Sequence, residues 1–191
     1  MRIRYLSFLS VIVLAAVGAI GQSSTKDIKA IFAEGKIADN QYRNDYFGFT
    51  LAPLNGHFTQ GGFVSSEGKR ARLIDAQSNA TACCDRYDIA VLADPLSANP
   101  SIKSPEQYVR SVRHQLEREG SETVQPESPV EISGTRFVYA TMKVGRDSAA
   151  HYRGIYTTFL NGYILSIDVS ADSVAGIQQA LKMLKFKAPQ N

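Results

Sequence analysis

The chain has 191 residues, 44% hydrophobic and 20% charged, with 21 basic against 18 acidic side chains. These proportions are those of an ordinary globular domain and exclude a collagen-like, low-complexity or strongly charged disordered chain. The formal charge of +3 lies mostly in the first residues: without Arg2 and Arg4, 19 basic groups face 18 acidic ones. So even a balance exerts no general pull on nucleic acid or an anionic membrane.

Residues 1–21 read as a signal peptide. Arg2 and Arg4 precede an uncharged apolar run from Leu6 to Ile20, and Ala19-Ile20-Gly21 puts small residues at the −3 and −1 positions of a cut. The run is short for a membrane span and lacks a stop-transfer flank. No cysteine stands at the cut, which argues against a lipoprotein anchor. The expected product begins at Gln22, is secreted into a periplasm or outside the cell, and keeps no membrane span. Its 170 residues suit one domain, which at that size buries roughly 70% of its unfolded surface without a disulfide or metal.

Residues 22–40 are expected to form a leader or short helix, with Ile28, Ile31 and Phe32 at helical spacing and Gly35 as a stop. The domain proper is placed at 41–187, with 188–191 as a tail. Tyr42 to Leu51 reads as strand with a turn at Asn44-Asp45, punctuated by Pro53 and Gly56. Lys69 to Ala76 reads as another strand. Its Lys69-Arg70-Ala71-Arg72 run fits a charge-guarded sheet edge better than an anion-binding stripe.

Cys83 and Cys84 are the only cysteines, and they are neighbours. Their Cα atoms stand about 3.8 Å apart, inside the ordinary disulfide range of roughly 4.4 Å and more, so a vicinal bridge needs a distorted peptide link. Unbridged thiols, a vicinal disulfide, intermolecular pairing and metal capture all stay open; ordinary metal spacing begins at Cys-x-x-Cys.

Asp88 to Ala93 is a strand ended by Asp94-Pro95. Ser104, Pro105 and Gln107 form a capping-box helix start, Tyr108, Val109, Val112 and Leu116 line one face, and Gly120 ends it. Beyond it come β signals: Glu131-Ile132 through Ser133-Gly134 into Phe137–Val144, then His151–Leu160, and Tyr163–Val169 after the Asn161-Gly162 hairpin dipeptide. A last helix, capped by Ser170 or Asp172, runs through Val174, Ile177, Leu181 and Leu184 and closes at Phe186. Phe137–Ala140 and Ile155–Leu160 are apolar on both faces, which predicts a sheet covered on both sides and an α+β layered domain.

The segment Tyr42-Arg43-Asn44-Asp45-Tyr46-Phe47-Gly48-Phe49-Thr50-Leu51, with Pro53 and Gly56 after it, resembles the opening hairpin of PsbP-like proteins. The Ser104 helix, Gly134-Thr135-Arg136-Phe137, the Asn161-Gly162 hairpin and the closing Leu184-Lys185-Phe186 follow in the order that fold has. His57-Phe58 stands where that family often has a tryptophan. The resemblance implies an antiparallel sheet sandwiched between helices, an α/β/α arrangement, and a binding or assembly role with a protein partner. Tyr42, Tyr46, Phe47 and Phe49 are then expected to be half core and half interaction surface.

Phosphate-loop, nucleophile-elbow, dinucleotide and His-Glu-x-x-His motifs are absent, and no catalytic, cofactor-binding or metal residue is assigned. Hence the leading expectation is a non-enzymatic exported module without a cofactor. The rival is an enzyme, or a small-ligand or metal binder, with a dispersed polar pocket in which Asp88, Asp168, His57 or His151 converge; a thiol redox sensor at Cys83-Cys84 is a third. His114 is expected to face solvent beside Arg110 and Glu117.

Overall fold

A computed structural model describes residues 27–79, 85–145 and 150–187. The expected signal peptide, Cys83-Cys84 and the expected tail from 188 lie outside the described residues. Eleven strands and three α-helices are present among those described. Helix α1 (Ile28–Ala33) leads into β1 (Gly35–Ala38), β2 (Gln41–Asn44) and β3 (Phe49–Leu51). Then come β4 (Gly56–Val64), β5 (Ala71–Ser78), β6 (Tyr87–Pro95) and α2 (Pro105–Arg118). The chain continues through β7 (Glu122–Ile132), β8 (Thr135–Val144), β9 (His151–Leu160), β10 (Tyr163–Ala171), α3 (Val174–Leu181) and β11 (Leu184–Phe186).

The strands form two antiparallel sheets. A small one has the order β1-β2-β3-β11, and the main one has seven strands in the order β4-β5-β6-β10-β9-β8-β7. Three hairpins close through dipeptides with both residues at positive φ: Asp39-Asn40, Ser133-Gly134, and Asn161-Gly162 at 52° and 82°. That conformation gives the strand twist a two-residue turn, and glycine adopts it without a Cβ clash.

One face of the main sheet is the principal core. Tyr87, Ile89, Val91 and Ala93 of β6 and Tyr163, Leu165, Ile167 and Val169 of β10 alternate onto it and are buried. The small sheet, α1 and α3 cover this face. Phe186 of β11 meets Phe137 of β8 at 5.3 Å between ring centroids, and the β2–β3 turn sets Phe47 against Tyr163 edge-on at 5.7 Å. Gly154 of β9 lets α3 sit close, because a Cβ there would stand 3.0 Å from Ile177 Cγ2.

The opposite face is only half covered. Helix α2 lays Val109 on Val138 and Ala140, and Leu116 on Met142 and Ile155, so it shelters the β7–β9 side. Its N-terminus is built as the sequence indicates: Ser104 Oγ accepts from the Gln107 amide at 3.2 Å, while Gln107 Oε1 accepts from the Lys103 amide at 2.8 Å. At the C-terminus, Gly120 at φ 93° turns the chain so that the Ser121 amide reaches back to the Leu116 carbonyl at 2.9 Å. Arg113 ties the helix to β7 by donating to Glu127 at 3.0 Å, and within the helix it donates to Glu117 at 2.6 Å.

This architecture corrects the expected α/β/α sandwich. The molecule is mostly antiparallel β, and one face of its main sheet is covered by a second sheet together with α1 and α3. The apolar-on-both-sides strands that suggested two helical layers, β8 and β9, are the ones beneath α2. Farther across the sheet the outward positions turn polar, with Asp75, Asp88, Asp168 and Ser170. A second correction concerns Leu184-Lys185-Phe186, expected as the end of the last helix: the helix stops at Leu181, and these residues pair with Leu51, Thr50 and Phe49 as β11. That helix is capped by Ser173, whose Oγ accepts from the Gly176 amide at 3.0 Å, rather than by Ser170 or Asp172.

Candidate functional site

Four strands, β4, β5, β6 and β10, leave part of their outward face uncovered beside α2. Cross-strand register aligns these side chains in rows. His57, Gln77, Asp88, Ser170 and Arg153 are successive partners across β4, β5, β6, β10 and β9. In the next row Asp75, Ala90 and Asp168 follow one another, and in the next Arg72, Leu92 and Ser166. Together they floor a trough. One hollow of about 480 Å³ runs over Asp75, Asp88, Ala90, His151 and Asp168, and a second of about 370 Å³ lies between the sheet and α2. The two share Arg72, Arg153 and Asp168, and a smaller hollow of about 280 Å³ continues past Asp88 and His151 toward Arg86 and Asp172.

The trough is held by arginine–aspartate pairs. Arg153 donates from Nε at 2.8 Å and from Nη2 to the two oxygens of Asp168, a two-pronged pair that locks the guanidinium plane. Arg70 grips Asp94 in the same way, at 2.7 and 2.6 Å, and Tyr108 of α2 donates to the same carboxylate at 3.3 Å. Arg72 uses Nε alone, donating to Asp75 Oδ1 at 2.6 Å. Asp94 is buried, with 4% of its surface exposed, and Arg70 and Tyr108 supply the hydrogen bonds that a buried carboxyl group needs. The hydrogen bond to Asp168 and the charge beside it raise the Arg153 pKa, while burial first and the Asp94 charge second raise that of Tyr108. Arg153 is therefore a fixed cation, and Tyr108 is a neutral donor.

Asp88, at the other end, is exposed, and it makes no hydrogen bond or ion pair among the described residues. His151 lines the same end. The rival expectation of a dispersed pocket thus gains a geometric basis: Asp88, Asp168 and His151 line one hollow. His57 stands beside it, 3.3 Å from Gln77 Nε2. Lys69-Arg70-Ala71-Arg72 is not a guarded edge, because β5 lies between β4 and β6; Arg70 and Arg72 face the trough. Arg153 was invisible as a site residue in the sequence, since only the β9–β10 register brings it to Asp168.

The aromatic quartet of the first hairpin lies elsewhere. Tyr42, Phe47 and Phe49 belong to the core at 3%, 3% and 1% exposure, and Tyr46 is half-buried. Tyr42 and Phe49 face inward because β2 and β3 pack on the main sheet, and Asn44 supports their turn by accepting from the Phe47 amide at 3.1 Å. Tyr42, Phe47 and Phe49 are core, and Tyr46 packs against that core half-buried. His114 is exposed and 2.9 Å from Glu117, as expected.

No group of three or more His, Cys, Asp or Glu residues is arranged to hold a metal among the described residues. No helix among them is long and apolar enough to cross a membrane. No family model matches the chain, and no curated protein does. Among solved structures, one from Bacteroides thetaiotaomicron is similar at a TM-score of 0.39 and 11% identity. The match covers 74% of this chain and 46% of the other, so the chain spans less than half of that protein's length.

Proposed function

We propose that this protein is an exported, non-catalytic binding protein whose ligand lies in the trough across the uncovered half of the main sheet. The observation that carries the reading is the pairing pattern of Arg70, Arg72 and Arg153, each anchored by an aspartate on a rigid strand floor. Groups held in this way present hydrogen-bonding edges to a ligand at little further cost in conformational entropy. Asp75, Asp94 and Asp168 are each engaged by a guanidinium, an arrangement suited to positioning rather than to proton transfer. Export rests on the basic, apolar and small-residue pattern of residues 1–21.

The test is native mass spectrometry of the protein recovered from its own organism, compared with an Ala90→Trp variant. Ala90 lies on the trough floor between Asp75 and Asp168, so an indole there occupies the hollow. A small-molecule adduct on the wild type that is lost in the variant supports the reading. No adduct, or one kept by the variant, overturns it.

A further inference from the structure

The two ends of the trough differ in charge, with Asp168 and Glu119 sharing the arginine end. Three arginines, Arg70, Arg72 and Arg153, line the hollow beside α2. Their aspartate partners leave part of each guanidinium unused among the described residues: both terminal nitrogens of Arg72, and Nη1 of Arg70 and of Arg153. At the other end stands a carboxylate. Asp88 has no cation bonded to it among the described residues, and Arg86, which lines the smaller hollow beside it, pairs through Nη2 with Asp172 at 3.2 Å. Donor edges are thus on offer at one end, and an unsatisfied negative charge at the other.

The strand geometry sets the spacing. Asp88, Ser170 and Arg153 are in register across β6, β10 and β9, so Asp88 and Arg153 start about 10 Å apart, two strand spacings. Arg72 pairs with Leu92, farther along β6 from Asp88 by about 13 Å. A single amino acid is too short to reach both ends. An extended tripeptide, at about 10 Å from terminus to terminus, is long enough.

We infer that the trough takes a short zwitterion, a peptide of two or three residues with free termini. Its carboxylate lies against the unused guanidinium edges of Arg72 and Arg153, and its ammonium lies at Asp88. A planar guanidinium fork matches a carboxylate in two prongs, and a compact ammonium needs only a point charge with acceptors around it; Asp88 supplies the charge, and Ser170 and His151 line the same end. The inference rests on the trough being the ligand site.

The experiment is titration of the full mature protein with trialanine, N-acetyl-trialanine and trialanine amide, followed by calorimetry and by amide chemical-shift mapping. Trialanine should bind with shifts in β5, β6, β9 and β10, and each cap should weaken it about tenfold or more, the loss of one charge-assisted contact. In Asp88→Asn, an exposed change that leaves the fold intact, the N-acetyl cap should no longer matter. In the neutral double variant Arg72→Gln/Asp75→Asn, the amide cap should matter less. Capped peptides that shift the trough as strongly as the free one overturn the zwitterion while sparing the trough as a site. Binding that maps away from the trough, or survives Ala90→Trp, overturns both readings. No binding of any of the three overturns the zwitterion, and the adduct experiment then decides the trough separately.

Discussion

The outward face of the main sheet carries two different surfaces side by side. Beneath α2, strands β8 and β9 present Val138, Ala140, Met142 and Ile155, all buried. Two strands away, β5 and β6 present Arg72, Asp75, Gln77 and Asp88 at equivalent positions. The backbone is the same on both sides. What differs is how the side chains meet their needs: by excluding water under a helix, or by pairing with one another beside it. A sheet face left open must carry its own polar partners, and partners fixed on strands are what a ligand can use.

The largest expected effect lies under the helix. Met142 is fully buried between Leu116 and Ile155, so Met142→Ala should cost about 2–5 kcal/mol in chemical denaturation, the usual range for a cavity of that kind. An equal loss from Gln77→Ala, on the open side, would erase the distinction between the two halves. Gln77→Ala should fall within about 0.5 kcal/mol of wild type.

A middle effect belongs to the boundary, where Tyr108 of α2 reaches over to the Arg70–Asp94 pair. Asp94→Ala leaves one guanidinium and one half-buried hydroxyl without this acceptor. Hydrogen bonds to a charged group contribute about 1.5–3 kcal/mol, so a loss in that range is expected. Tyr108→Phe, which keeps the ring and removes one donor, should cost less, about 1 kcal/mol. If Tyr108→Phe costs as much as Asp94→Ala, the helix rather than the arginine sustains the carboxylate, and the trough's rim depends on α2.

The sequence made the covered half far more legible than the open one. Helix α2 could be read from Ser104, Pro105 and Gln107 at one end and Gly120 at the other, because capping chemistry is local. The Asn161-Gly162 turn and the bounds of β9 were legible for the same reason. Strand β7 was mostly hidden by Pro126 and Pro129, which are tolerated because β7 is an edge strand and its unpaired side needs no donor. Strand β11 looked like helix because Leu181 and Leu184 keep helical spacing, and only pairing with β3 decides otherwise. For the trough, Asp88 and Asp168 could be singled out as polar groups in apolar strands, and His151 as the opening residue of one. Their convergence could not be read, since it depends on the register of strands far apart in the chain.

The smallest effect concerns the clamp that holds α2 over its half. Glu117 accepts from Thr123 Oγ1 at 2.6 Å and from Arg113 at 2.6 Å, with His114 at 2.9 Å. These hydrogen bonds, that of Thr123 foremost, lower the Glu117 pKa to about 2 from the ordinary 4.5. A depressed carboxyl contributes stability that is present above its unfolded value and is lost as pH falls through its folded one. The stability difference between wild type and Glu117→Gln should therefore be constant from neutral pH down to about 5, and should shrink between about 4.5 and 2. Melting temperatures of the two proteins, compared pH by pH, give that curve. A difference that stays level to pH 2 would mean that Glu117 acts through shape alone, and that the helix is seated by Val109 and Leu116 without help from its polar clamp.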